Sequence, residues 1–405
     1  MTSMLDWISS TSRDESLVRN YSGQMLITLS VGMVAISIGR LLLPPLLPTI
    51  STELQLTKSQ SGIVLSAMWA FFAVLQFPAG RLSDRLSRPT ILVAGLLVMI
   101  SGFGILSIVP SYLFLLVGVA FIGAGSGLYI VSMRAFISDL FTARRGQAFG
   151  VNTAAGMMGG IFAAGLTTVI ITRFDWRMGY IPLVAILVLV ATKIHTKRKG
   201  RYIFKRIDLG LRTTIARVFG TAEMRWLVVE YSLVMFAWQG VFGFLPTFLR
   251  TAKGFQPELA NAAFAIPFGI GIVVMPLAGG MSDRIARLPV AIGALLFSSL
   301  GLAFVIFETS TRLILVGIFV FGVGLVVHPP VMQAYLMDVF PDSNAGGDFG
   351  AFRTLYLAAA SLGPAYVGWI AQQTSYTFAY QGLVVCLFLS AVILIRVATL
   401  ARSES

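Results

Sequence analysis

Twelve apolar runs, each long enough to cross a lipid bilayer, dominate this 405-residue sequence. A hydrocarbon core about 30 Å thick is spanned by about 20 helical residues rising about 1.5 Å each. Such runs lie at approximately 26–50, 61–81, 90–109, 112–137, 147–171 and 178–193, then at 226–250, 258–281, 289–308, 312–336, 348–371 and 376–399. Barrel strands would instead give short segments of alternating polarity. The pattern predicts an all-α polytopic membrane protein with twelve transmembrane helices. Composition agrees. With 57% hydrophobic and 12% charged residues, against about 25% charged in a soluble domain, the chain has too few polar side chains to cover a water-soluble fold.

The net charge of +13 raises the question of nucleic acid. Placement of the cations argues against it: ten of the 30 Lys and Arg residues fall between Lys193 and Arg225, where Asp208 and Glu223 are the only acids. No basic stripe is interleaved with aromatics, and a juxtamembrane segment near anionic headgroups accounts for the cluster. Cations in the remaining loops set the orientation. With the N-terminus inside, the inside loops hold seventeen Lys and Arg and the outside loops six. Both termini and the basic linker are therefore expected in the cytoplasm, on a multi-pass protein of the cell membrane. The polar start lacks a cleavable signal pattern. The expected organisation is a tail over 1–25, a six-helix bundle over 26–193, a basic linker over 194–225, a second bundle over 226–400 and a short tail over 401–405.

The two bundles repeat one pattern. Gly80-Arg81-Leu82-Ser83-Asp84-Arg85-Leu86-Ser87-Arg88 follows the second run, and Gly279-Gly280-Met281-Ser282-Asp283-Arg284-Ile285-Ala286-Arg287 follows the eighth, 199 residues later. The same offset relates Gly123-Ala124-Gly125 to Gly322-Val323-Gly324, and Asp139-Leu140-Phe141 to Asp338-Val339-Phe340. Three matches at one spacing predict two pseudo-symmetric six-helix bundles, a duplicated architecture that transporters use.

The loop after the second run resembles the signature G-x-L-[AS]-D-R-x-G-R-[RK] of the major facilitator superfamily through Gly80, Leu82, Ser83, Asp84, Arg85 and Arg88; Ser87 and Pro89 depart from it. The resemblance covers roughly residues 26–400. It implies a conformational latch, in which Asp84 sits against the positive N-terminal end of the eleventh helix and Arg88 pairs with Asp139. Arg353 would be a further partner of Asp84, and Asp283, Arg284, Arg287 and Asp338 would form the second copy. These contacts would hold the outward-facing state. Read from the residues alone, the same cluster is also explained as a positive-inside topology signal.

Ionisable residues inside a span are costly and are candidates for function. Arg40 lies about 14 residues into the first run, or roughly 21 Å along a helix, before Pro44, Pro45 and Pro48, which distort the outer end. Its spacing resembles organic-anion branches of the superfamily, in which a first-helix arginine binds the substrate; guanidinium offers carboxylate a bidentate fork. Snorkelling to the outer headgroups is the alternative. His328 beside Pro329 and Pro330 can hydrogen-bond solute or relay a proton. Tyr129, Trp238, Gln239 and Tyr356 complete the candidate substrate-binding set. Arg134 reads as an interfacial anchor. Glu230, one turn into the seventh run, is expected to snorkel or pair with Arg225.

No Walker-type loop is present, and two histidines with one cysteine, Cys386, give no metal-ligand spacing. No enzyme chemistry, cofactor or metal is expected. The function expected is alternating-access transport of a small solute, an organic anion first, with a proton or an exchanged anion as coupling ion and a monomer as the working unit. Cation exporters of the family it resembles place a carboxylate deep in the first or fourth helix; this chain has Arg40 and no acid there, which favours an anionic or neutral solute over a cation. Efflux of drugs or metabolites is the alternative, with Trp69, Phe71 and Phe72 compatible. A non-transporting membrane receptor is the third reading.

Overall fold

The structure, a computed structural model, describes residues 16–198, 219–282, 286–340 and 345–403. Most of the expected basic linker and the tip of the second signature loop, including Asp283 and Arg284, lie outside the described residues. So do the side chains of Asp84 and Arg85.

Helices account for all twelve spans. They are α1 (Asn20–Leu41), α2 (Leu43–Glu53), α3 (Lys58–Arg85), α4 (Arg88–Leu106), α5 (Tyr112–Leu140), α6 (Arg145–Arg173), a 3₁₀ turn (Trp176–Tyr180) and α7 (Ile181–Lys197) in the first half. The second half comprises α8 (Ala222–Ala252), α9 (Pro257–Ser282), α10 (Arg287–Phe307), α11 (Thr311–Val339), α12 (Ala345–Ala360), α13 (Gly363–Gln373) and α14 (Tyr376–Ser403). Joined as α1–α2, the 3₁₀ turn with α7, and α12–α13, they give twelve stretches among the described residues that are long and apolar enough to cross a membrane. Large apolar side chains such as Leu189, Leu300 and Phe307 are about seven-tenths exposed on the outside of the bundle, a surface only lipid solvates without cost. The chain is a multi-pass membrane protein.

Two spans are broken, each for a local reason. Pro44 and Pro45 open α2, and the first span turns at Leu42, whose N–H still donates to Ile38 O. The eleventh span breaks at Ser361–Leu362, with Pro364 at the start of α13. Proline lacks the donor and fits best in the first helical turn, although Pro78, Pro246, Pro329 and Pro330 sit inside continuous helices. Elsewhere side chains cap free ends: Thr57 and Gln60 form a capping box at α3, and Thr221 accepts from Met224 N at α8.

The 199-residue repeat is also a packing repeat. A Cβ on Gly125 would lie 2.6 Å from Gly95 O, and one on Gly324 would lie 2.3 Å from Ala294 O. Gly95 and Ala294 are themselves 199 residues apart. The fourth span of each half therefore presses backbone to backbone on the third, at a distance only glycine allows. The halves meet where α3 packs on α12 and α13, where α6 packs on α9, and where α2 packs on α8.

Candidate functional site

On the face opposite the chain termini the halves are sealed by close backbone contact. A Cβ on Gly62 would meet Pro364 O at 2.6 Å, and one on Gly368 would meet Lys58 O at 2.3 Å. Three hydrogen bonds cross the same seam: Lys58 Nζ donates to Ala371 O at 2.9 Å, Ser59 N to Gln372 Oε1 at 3.0 Å, and Ala365 N to Ser66 Oγ at 2.8 Å. The last satisfies a backbone donor left free at the start of α13.

Behind this seal lies a cavity of about 280 Å³ between the halves, with Arg40, Trp69, Arg134, Asn152, Trp238 and Gln239 in its wall. A second cavity of about 320 Å³ sits between the terminal-face ends of α3, α5, α11 and α12 and is lined by Gly80, Arg134, Gln333 and Arg353 among others. Arg134 borders both cavities and is exposed into them.

Arg40 does not snorkel. Its guanidinium lies 4.4 Å from the ring centroid of Trp69 and 4.6 Å from that of Phe72, rings that are themselves packed edge to face. Such contacts stabilise a desolvated cation by about 1–2 kcal/mol while leaving its donors free for an anion. Trp238, stacked on Phe242 at 5.0 Å, and Met33, Met68, Met133 and Met157 give the rest of the wall an apolar, polarisable character. The Gln239 side chain is 3% exposed, and its Oε1 has no partner among the described residues.

Three expected cavity residues lie elsewhere. Tyr129 is fully buried within the first half and donates to Leu29 O at 3.1 Å. Its ring fills the space above Gly32, where it displaces any Cβ. His328 is equally buried, with Nε2 2.8 Å from Glu230 Oε1. Tyr356 packs on Tyr231 and Phe352 rather than on either cavity. Helix rotation decides this: a side chain in a bundle of six faces the other half from only about one side of its helix. Glu230 likewise neither snorkels nor pairs with Arg225: it is fully buried against His328, whereas Arg225 is exposed.

The reverse omission is Gln333. It stands 199 residues after Arg134, as Gln239 stands 199 after Arg40. Arg40 and Arg134 thus each have glutamine at the repeat-equivalent position of the second half, and all four residues line the cavities. Applying the repeat offset to Arg134 would have found Gln333 in the sequence.

At the terminal face, Arg88 Nε donates to Asp139 Oδ2 at 3.0 Å and Arg88 also reaches Ser83 Oγ at 3.1 Å. Arg287 pairs with Asp338 at the repeat-equivalent positions and also donates to Ala334 O at 2.8 Å. Each ion pair stays inside its own half. Gly80 is not a close backbone contact: a Cβ there would find Val131 at 3.7 Å, and the position borders the second cavity. Arg353 borders the same cavity, and its Nε is buried without a hydrogen-bond partner among the described residues.

The family model described as Major Facilitator Superfamily matches residues 29–364 and 227–405. The chain is 23% identical over 353 residues to a hexuronate transporter of Bacillus subtilis (strain 168), covering 81% of this chain and 82% of that one. It is 27% identical over 279 residues to a probable sulfoacetate transporter of Cupriavidus necator, covering 62% and 64% respectively. The solved structure of a peptide transporter superposes with a TM-score of 0.78 at 16% identity, over 94% of this chain and 96% of that one.

Proposed function

This chain belongs to the Major Facilitator Superfamily, and from that membership we propose that it carries a small organic anion across the cell membrane by alternating access. One observation carries the proposal: Arg40 sits in the cavity wall, braced by two aromatic rings, and no carboxylate among the described residues pairs with it. An arginine held open in this way recognises a planar acid group through its fork of N–H donors. Trp69, Trp238 and the methionines take the carbon skeleton. The hexuronate and probable sulfoacetate transporters that this chain resembles are named for organic acids, in keeping with the same chemistry.

Both termini and the basic linker face the cytoplasm in this reading, as the excess of cations in those loops favours. The seal at Gly62 and Gly368 is then the outer gate, and the cavities lie on the inward side of it. The latch assigned to Gly80, Asp84, Arg85, Arg88, Asp139 and their second copy belongs to the opposite, outward-facing state, in which the terminal-face ends close. A monomer suffices for such a cycle, and a proton or an exchanged anion would supply the driving force.

The test is a thermal-shift screen of purified protein against carboxylates and phosphate esters, repeated with Arg40→Ala. Stabilisation by an acid in the wild type and its loss in the variant is the expected result. If no acid stabilises the protein through Arg40, and dye efflux is found instead, the chain is an exporter of another solute class.

A further inference from the structure

Four guanidinium groups border the cavities: Arg40 on α1, Arg81 on α3, Arg134 on α5 and Arg353 on α12. Three come from the first half and one from the second; Arg81 lies over the Phe77 ring at the terminal-face end of α3. Arg134 borders both cavities, and Arg353 lies within electrostatic reach of both Arg40 and Arg134. The ion pairs among the described residues use other cations, so none of Arg40, Arg134 and Arg353 is neutralised by a carboxylate there.

Like charges held close together repel, and that repulsion is relieved when opposite charge enters. A single carboxylate brings one charge and one pair of acceptor oxygens. Held by Arg40 and Arg134 in the first half, it leaves Arg353 in the second half uncompensated. The glutamines at the repeat-equivalent positions, Gln239 and Gln333, carry no charge, so the second half meets the solute with Arg353 as its cation. Arg353 has no repeat counterpart either: 199 residues earlier stands Ala154.

From this arrangement, and resting on the anion reading above, we infer that the solute is a short dianion with its two acidic groups apart on the molecule. One is held by Arg40 with Arg134 and the other by Arg353. The solute is then a bridge between the halves. A monoanion satisfies one half, whereas a dianion draws Arg353 toward the first half and favours closure of the terminal-face cavity around it. Cavities of about 280 and 320 Å³ lie at the lower end of the range for small-molecule sites and suit a short chain of carbons between two acids. Arg353 is accordingly a specificity-determining residue.

The test titrates butyrate, succinate, adipate and inorganic phosphate against the full chain in detergent, as wild type, Arg353→Gln and Arg353→Lys. At least one dicarboxylate is expected to bind the wild type about tenfold or more tightly than butyrate. Arg353→Gln should remove most of that preference, and Arg353→Lys, which keeps the charge, should retain part of it. Melting of each variant without ligand establishes that it is folded; if Arg353→Gln is not, the wild-type series and Arg353→Lys decide. Equal binding of butyrate and both dicarboxylates overturns the bridge and leaves the anion reading intact. So does a preference for phosphate over every dicarboxylate, since the positive charges would then converge on one point. Binding of none of these anions overturns the anion reading itself.

Discussion

His328 Nε2 lies 2.8 Å from Glu230 Oε1, with both side chains completely buried. Tyr129, 199 residues before His328, makes the matching contact in the first half by donating to Leu29 O. In each half, then, one polar side chain of the fourth span ties that span to the first helix of its own bundle. The first half uses a neutral hydroxyl and a backbone carbonyl, and the second uses an ionisable pair. Tyr231 lies beside that pair, its ring centroid 5.3 Å from that of His328, and Arg353 lies within electrostatic reach of Tyr231.

Removing one member of a buried ionisable pair strands the other and costs about 3–5 kcal/mol. Glu230→Ala is therefore expected to lower the melting temperature in detergent substantially. Glu230→Gln keeps a hydrogen-bonding group for the imidazole and should cost less. Wild-type melting of Glu230→Ala would show that the pair contributes nothing to holding α8 on α11.

Arg40→Lys preserves charge but loses the planar fork and much of the stacking on Trp69 and Phe72. Uptake of an anionic substrate into proteoliposomes should fall by about tenfold or more, equivalent to about 1.4 kcal/mol, and Arg40→Ala should fall further. Trp69→Ala should weaken binding by about 1 kcal/mol. Arg40→Lys transporting as well as wild type would mean that the positive charge alone, without the guanidinium fork, meets the anion.

The seam at Gly62 and Gly368 has no room for side chains. Gly368→Val places methyl groups against Lys58 O, at a cost of about 1–3 kcal/mol to the sealed arrangement. Spin labels at Ser59→Cys and Gln372→Cys, in a Cys386→Ser background, should report a longer distance in the valine variant. An unchanged distance distribution would show that the seam does not govern closure of that face.

The pairs Arg88–Asp139 and Arg287–Asp338 are partly exposed, the aspartates at 53% and 63% of their side-chain surface. Exposed pairs contribute less than about 1 kcal/mol. A double-mutant cycle on Arg88 and Asp139, read by thermal melting, should give a coupling below that value, even where transport suffers. A coupling of several kcal/mol would identify the pair as a structural clamp of the first half.

Architecture was legible in the sequence because it follows from local chemistry. Long apolar runs form helices in lipid wherever they occur, and Pro44 and Pro45 mark the distortion in the outer end of the first span. The family resemblance of the signature loop implied the pairing of Arg88 with Asp139, and the repeat offset marked Arg287 and Asp338 as its second copy.

Which polar residues reach the cavity was decided only by tertiary structure. Arg40, Trp238 and Gln239 line it, whereas Tyr129, His328 and Tyr356, equally polar and equally deep in sequence, turn into their own bundles. Glu230 read as an edge residue because it is one turn into its span, and packing by neighbouring helices made it fully buried. Hydropathy fixes how far along a helix a residue sits; the direction it faces depends on rotation of the helix about its axis. That rotation is set by the fit of side chains from several helices distant in sequence.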